Sequence, residues 1–246
     1  MLYNVDSAGD LAGGLSRTLT VVNYPLALGA IALAAIAGGP RLLVWSSILL
    51  CALTAVPGVV DQGDLDARWI NALPALGVAL ALALTVRAVR REGASFVRRA
   101  RGDPLRLVLG AALLLLALPW IAAETGFYFP GDIFMGEEIP RVRDEGLAAV
   151  HLGFHHGMGG VELALSALLL SRPRAGRALR GYLSLMLAYG LANALQDGWN
   201  EQLWKRGTVD QHIDSVLRPE LSLGWLVIVV GAAAIYAFWF RPSRQR

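Results

Sequence analysis

Seven stretches of mostly apolar residues, each bounded by charge or by Gly and Pro, run along the chain at about 20–39, 42–60, 69–87, 105–124, 146–170, 181–200 and 221–240. An α-helix rises about 1.5 Å per residue, so a stretch of about 20 residues crosses roughly 30 Å of hydrocarbon. The pattern predicts an all-α, polytopic integral membrane protein of seven transmembrane helices, with residues 1–246 forming a single domain and 125–145 the longest connection. The first stretch follows Asn4, Asp6 and Asp10 rather than a basic segment with a small-residue cleavage site, so it reads as a retained span and not a removable signal.

Charge orients the spans. Arg41, the arginines of 87–106, those of 172–180 and those of the tail put 15 of the 22 Lys and Arg in alternate connections, opposed there by Glu92 and Asp103 alone. The other side holds 7 basic residues and 16 acids, with Glu162 left inside a span. Cytoplasmic loops are enriched in Lys and Arg, so the expected topology is N-terminus outside and C-terminus inside, in a multi-pass protein of the cell membrane.

Composition narrows the function classes. Of 246 residues 55% are hydrophobic and 17% charged, with a mean hydropathy of +0.51, which excludes an ordinary water-soluble domain. The formal charge of +3 would admit a nucleic-acid partner. The arginines, however, sit in span-flanking loops without interleaved aromatics or a recognition module, and the expected partner is instead the anionic surface of the lipid bilayer. Cys51 is the single cysteine, which leaves no internal disulfide and no thiolate zinc cluster.

Ionisable groups at depth are costly unless paired, hydrated or ligating, so they mark the candidate chemistry. The fifth span carries His151, His155, His156 and Glu162. At about 100° per residue His151, His155 and Glu162 fall within about 40° of one another, while His156 lies about 140° from His151. Gly153, Gly157 and Gly160 gather on the far side, where small residues allow close approach of another helix. A histidine pair at i, i+4 suits a divalent metal, zinc above all, and His151, His155 and His156 are the candidate ligands. Glu162 lies about 10 Å below His155 at about 1.5 Å per residue, a distance that suits a second polar layer or a relay.

The sixth span offers a facing surface, with Asn193, Asp197 and Asn200 at i, i+4, i+7 and Trp199 and Trp204 at the height of an interfacial belt. Asp61 and Glu124 lie at the outer ends of the second and fourth spans, and either is placed to complete a His/His/acid shell. Asp64 reads as a helix cap or an ion-pair partner of Arg68. The connection 125–145, with Phe127, Tyr128, Phe129, Ile133, Phe134 and Met135, reads as an interfacial anchor or a lid.

Seven spans with the His151/His155 pair are similar in chemistry to the membrane hydrolase superfamily of alkaline ceramidases and adiponectin-receptor-like proteins, in which a histidine-bound zinc activates water. The order differs: the pair here lies on the fifth span, and the last span, Leu221 to Phe240, has no ionisable residue. The length and helix count also resemble small integral-membrane terpene cyclases, which work through carboxylic acids. The leading expectation is a metal-dependent hydrolase of a lipidic or amphipathic small molecule at the extracytoplasmic face. His151 and His155 would ligate, and Asp61, Glu124 or Asp197 would complete the shell, with a remaining carboxylate such as Glu162 as base or relay. The alternatives are a transporter or channel for a metal ion, proton or small cation, and a metal-free, acid-catalysed isoprenoid cyclase or isomerase.

Overall fold

The computed structural model describes residues 25–56, 70, 72–92, 102–124, 157–173, 175–204 and 207–241, with the side chains of 92 and 119–124 outside the description. Among these residues the fold is all-α. Seven α-helices follow one another: α1 Ala27–Ala37, α2 Arg41–Ala52, α3 Ala72–Glu92, α4 Asp103–Glu124, α5 Gly157–Leu170, α6 Arg177–Trp199 and α7 Leu223–Ile235. Each falls within or across one of the seven apolar stretches. Two segments, Ala72–Arg91 and Leu223–Phe240, are long and apolar enough to cross a membrane by length and composition.

Boundaries shift where polar residues extend a helix. α3 runs through Arg87, Arg90 and Arg91 to Glu92, and α6 begins a turn early at Arg177, because Arg is a good helix former whose long stem lets its head leave an apolar layer. α6 and α7 also end in single wider turns of π type, Asn200–Trp204 and Tyr236–Phe240. Apolar periodicity carries no sign of such turns.

The first three helices form one apolar cluster. Gly38 and Gly39 adopt φ of +62° and +121° between α1 and α2, and Pro40 opens α2, so the chain reverses where only glycine turns without strain. At Gly77 α3 lies against α2, and a Cβ there would come within 2.8 Å of the Cys51 amide nitrogen. Ser47, fully buried beside it, donates to the Gly77 carbonyl at 2.8 Å.

Helices α4 to α7 form the larger cluster, centred on α5 and α6. Their contact is made by small residues: Gly160 and Ala164 on α5 meet Gly190 and Ala194 on α6, and Gly157 meets Asp197. A Cβ on Gly160 would stand 2.5 Å from the Gly190 carbonyl oxygen and 2.7 Å from the Ala194 nitrogen. The glycine face expected from the sequence is therefore the α6-packing face at Gly157 and Gly160; Gly153 lies outside the described residues. Tyr182 of α6 donates to the Leu28 carbonyl at 2.7 Å and ties α1 to this cluster.

One end of the cluster is a compact arginine network. Asp103, at the start of α4, receives Arg172 through two bonds of 3.2 and 3.1 Å and lies 3.6 Å from Arg106. Arg106, 9% exposed, donates to Ser171 at 3.1 Å and stands 5.1 Å from the centre of the Trp239 ring. Arg180 donates to the Phe240 carbonyl at 2.7 Å. The start of α4, the end of α5, the start of α6 and the segment after α7 thus meet at one end, as alternating helices require. Of the arginines read as flanking the spans, Arg106 and Arg172 engage Asp103, Arg106 also the Trp239 and Phe240 rings, and Arg180 backbone carbonyls.

Candidate functional site

The opposite end of α5 and α6 collects the polar groups. Asn193, Gln196, Asp197, Asn200 and Glu201 are all buried there. This density is unusual for side chains that a helix normally turns to water, and most of it is accounted for by hydrogen bonds.

The i, i+4, i+7 row of α6 divides between two neighbours. Asn193 and Asp197 face α5. Asn193, 0% exposed, donates to the Tyr189 carbonyl at 3.0 Å and lies directly across from Gly160. Asp197 accepts the Gly157 amide at 3.1 Å through Oδ2. A carboxylate at the first turn of a helix satisfies an orphan N–H and complements the positive end of the helix dipole, so Asp197 caps α5 from the neighbouring helix.

Asn200 faces the segment that follows α6. Its side-chain amide donates to the Ile213 carbonyl at 2.8 Å and accepts from the Ile213 amide at 3.1 Å, a reciprocal pair like one rung of a β-ladder. Gln196 donates to the same carbonyl at 3.1 Å, Trp199 to Gln211 at 2.8 Å and Tyr189 to Leu217 at 2.7 Å. These bonds fasten residues 211–217 over the end of α6. Their source is a second row, Tyr189, Gln196 and Asn200, with spacings of 7 and 4, joined by Trp199, a row the i, i+4, i+7 reading of Asn193, Asp197 and Asn200 does not contain although helical spacing makes it visible. Asn200→Leu is expected to loosen the segment by removing both of its bonds to Ile213 while the Gln196 bond to that carbonyl remains, at about 0.5–1.5 kcal/mol for each bond lost. Amide hydrogen exchange should then rise in 207–217 and stay unchanged in α1 and α2.

The candidate residues separate as follows. Asp61, His151, His155 and His156 lie outside the described residues. Glu124 closes α4 by its backbone, and its side chain is outside the description. Glu162 and Asp197 are placed, and on different sides of α5. Glu162 stands about 140° round the helix from Gly157, at about 100° per residue, away from α6. Its Oε2 is shielded and has no hydrogen-bond partner among the described residues, as is also true of Asn193 Oδ1 and Gln196 Oε1. The described His, Cys, Asp and Glu form no group of three or more that could hold a metal ion. What the fold does join is Asp197 of α6 to the peptide nitrogen immediately following His156.

No family model, curated protein or solved structure matches the chain.

Proposed function

We propose that this chain is a seven-span, multi-pass protein of the cell membrane with its arginine end inside. We further propose that its outer end holds a divalent metal, zinc by ligand chemistry, for hydrolysis of a lipidic or amphipathic molecule. The membrane reading is supported by seven helices on the seven apolar stretches and by large apolar side chains turned outward. Leu107 and Leu115 of α4, Val227 and Val230 of α7 and the following Phe238 are all exposed, a belt that suits hydrocarbon and not water.

The observation that carries the site is the Asp197–Gly157 bond. It ties the α6 acid to the Gly157 amide, the residue that follows His156 in the sequence, with Glu162 on the same helix five residues further on. In this reading His151 and His155 ligate, His156 is a further ligand candidate, and Asp61, Glu124 or Asp197 completes the shell. Zinc held there would supply Lewis-acid activation of water, whose pKa such a site lowers to about 7. Glu162, seven residues after His155 in the sequence, would accept and pass on a proton as the relay.

Elemental analysis of detergent-purified protein tests the site directly. One equivalent of zinc, iron or copper is expected, and His151→Ala with His155→Ala should lose it together with the stabilisation that added zinc gives. With zinc at about 100 times its dissociation constant that stabilisation is about 2.7 kcal/mol. Metal-free protein whose unfolding is insensitive to zinc, chelator and both substitutions would overturn the reading.

A second reading rests on Glu162 Oε2 and Asn193 Oδ1, two shielded oxygens without hydrogen-bond partners among the described residues. Such oxygens suit stations for a proton or small cation crossing the bundle. Ion flux into proteoliposomes that disappears in Glu162→Gln, with metal content unchanged, would select transport over hydrolysis.

A further inference from the structure

The arginine end carries more positive charge than the chain itself can neutralise. Arg106 lies close enough to Arg172 and Arg180 to feel the like charge of both, against the opposite charge of Asp103. Arg177 stands one turn before Arg180 on α6 and is exposed. Recruiting every acid on this side of the proposed topology would leave the sum positive, since Glu92 and Asp103 face 15 Lys and Arg.

The cluster is also partly withdrawn from water. Arg106 is 9% exposed and Arg172 29%, so solvent screens their repulsion only in part while Arg172 keeps an open side. Arg180 donates to the Ala175 and Phe240 carbonyls, which satisfy its N–H groups but bring a dipole and no charge. α6 begins at Gly176 without a side-chain cap and with no acid in its first turn, so the positive end of its dipole adds to the field. Gly176 is exposed, and a Cβ there would meet open space, so the approach is clear.

Hydrocarbon-facing surface borders this charge. Leu105 and Leu107 flank Arg106 on α4, Phe238 precedes Trp239, and all three are exposed. The Trp239 ring beside the Arg106 guanidinium suits the level at which a bilayer's headgroups begin.

We propose that this end binds one anionic phospholipid, its phosphodiester held by Arg172, Arg177 and Arg180 and its chains laid along the exposed apolar residues of α4 and of the segment after α7. The inference rests on the membrane reading and needs neither the metal nor the hydrolase. Phosphate fits because two of its oxygens match the parallel N–H pair of a guanidinium. The lipid must carry net charge: the choline of a zwitterionic headgroup brings its own cation and leaves the surplus where it was. A free phosphate would answer the charge too, but the apolar residues on either side put these arginines at a hydrocarbon boundary, where phosphate arrives with chains attached.

The test offers full-length protein in mild detergent an equal mixture of phosphatidylglycerol and phosphatidylcholine and counts the retained lipids by native mass spectrometry. One phosphatidylglycerol per chain is expected, preferred at least about ten-fold over phosphatidylcholine. Phosphatidylglycerol should raise the unfolding temperature by at least about 3 °C, and phosphatidylcholine should not. Arg177→Gln and Arg172→Gln should each lower the preference at least about five-fold, read on whichever keeps the unfolding temperature of the lipid-free parent. Arg87→Gln, on the exposed surface of α3, should leave the preference unchanged. Three results would overturn the proposal: equal losses in Arg87→Gln and in the two site variants, which means diffuse surface attraction; equal retention of both lipids, which means boundary lipid; or the full thermal shift from inorganic phosphate alone, which means a soluble anion. Alkaline carbonate extraction of the membranes tests the membrane reading separately. Protein that stays in the pellet without a lipid preference keeps that reading and removes this inference, and protein released by carbonate removes both.

Discussion

Replacing Gly160 by alanine is expected to lower the unfolding temperature of the detergent-solubilised protein by several degrees, and replacing it by leucine to prevent folded protein from accumulating. In a bilayer the association of helices gains little from the hydrophobic effect and depends on close packing. The α5–α6 pair is the centre of that packing. A single added carbon on Gly160 meets Gly190 O, Ala194 N and Asn193 Cβ at 2.5, 2.7 and 2.9 Å. Two of those atoms are helix backbone and cannot turn aside, so the helices must separate. Overpacking of this kind costs about 1–3 kcal/mol, and about 2–4 °C follows from each kcal/mol in a chain of this length. Gly110→Ala is the matched control, because its Cβ would meet only Leu165 Cδ2 at 3.7 Å. Differential scanning fluorimetry on the three proteins decides it: Gly160→Ala unfolding at the parent temperature would show that α5 and α6 do not approach so closely.

The second large effect is expected at the arginine end. Asp103→Leu removes the carboxylate that receives both guanidiniums and leaves Arg106, buried among Ser171, Trp239 and Phe240, without its closest counter-charge. Breaking a fully buried pair costs about 3–5 kcal/mol. Asp103 and Arg172 keep part of their exposure, which lowers the expectation to about 2 kcal/mol once solvent screening is counted. Arg172→Leu in the same background should recover part of the loss by removing one stranded charge, and the coupling energy follows from the double-mutant cycle. Equal stability of Asp103→Leu and the parent would reduce this network to a surface ion pair.

Much of the architecture was legible in order along the chain. Apolar stretches located each helix, although α1, α2 and α5 are described over only 11, 12 and 14 residues, and among the described residues two segments are long and apolar enough to cross a membrane. The alternation of arginine with acid told the two ends apart. The glycine face of α5 could be read too, since helical spacing alone puts Gly157 and Gly160 together. The candidate site was legible only as a set of residue types: the spacing of Asn193, Asp197 and Asn200 places them on one broad face but says nothing of what stands opposite.

Tertiary structure made the assignments that depend on partners. It gave Asp197 to the first turn of α5, Asn200 to Ile213, and Arg106 to Asp103 and Trp239, and it set Glu162 on the side of α5 away from α6. A side chain's position on a helix is a local property repeated every 3.6 residues, and the chain carries it openly. The atom that side chain meets comes from a segment tens of residues away, chosen by how closely whole helices pack, and for that reason the pairings belong to the folded protein alone.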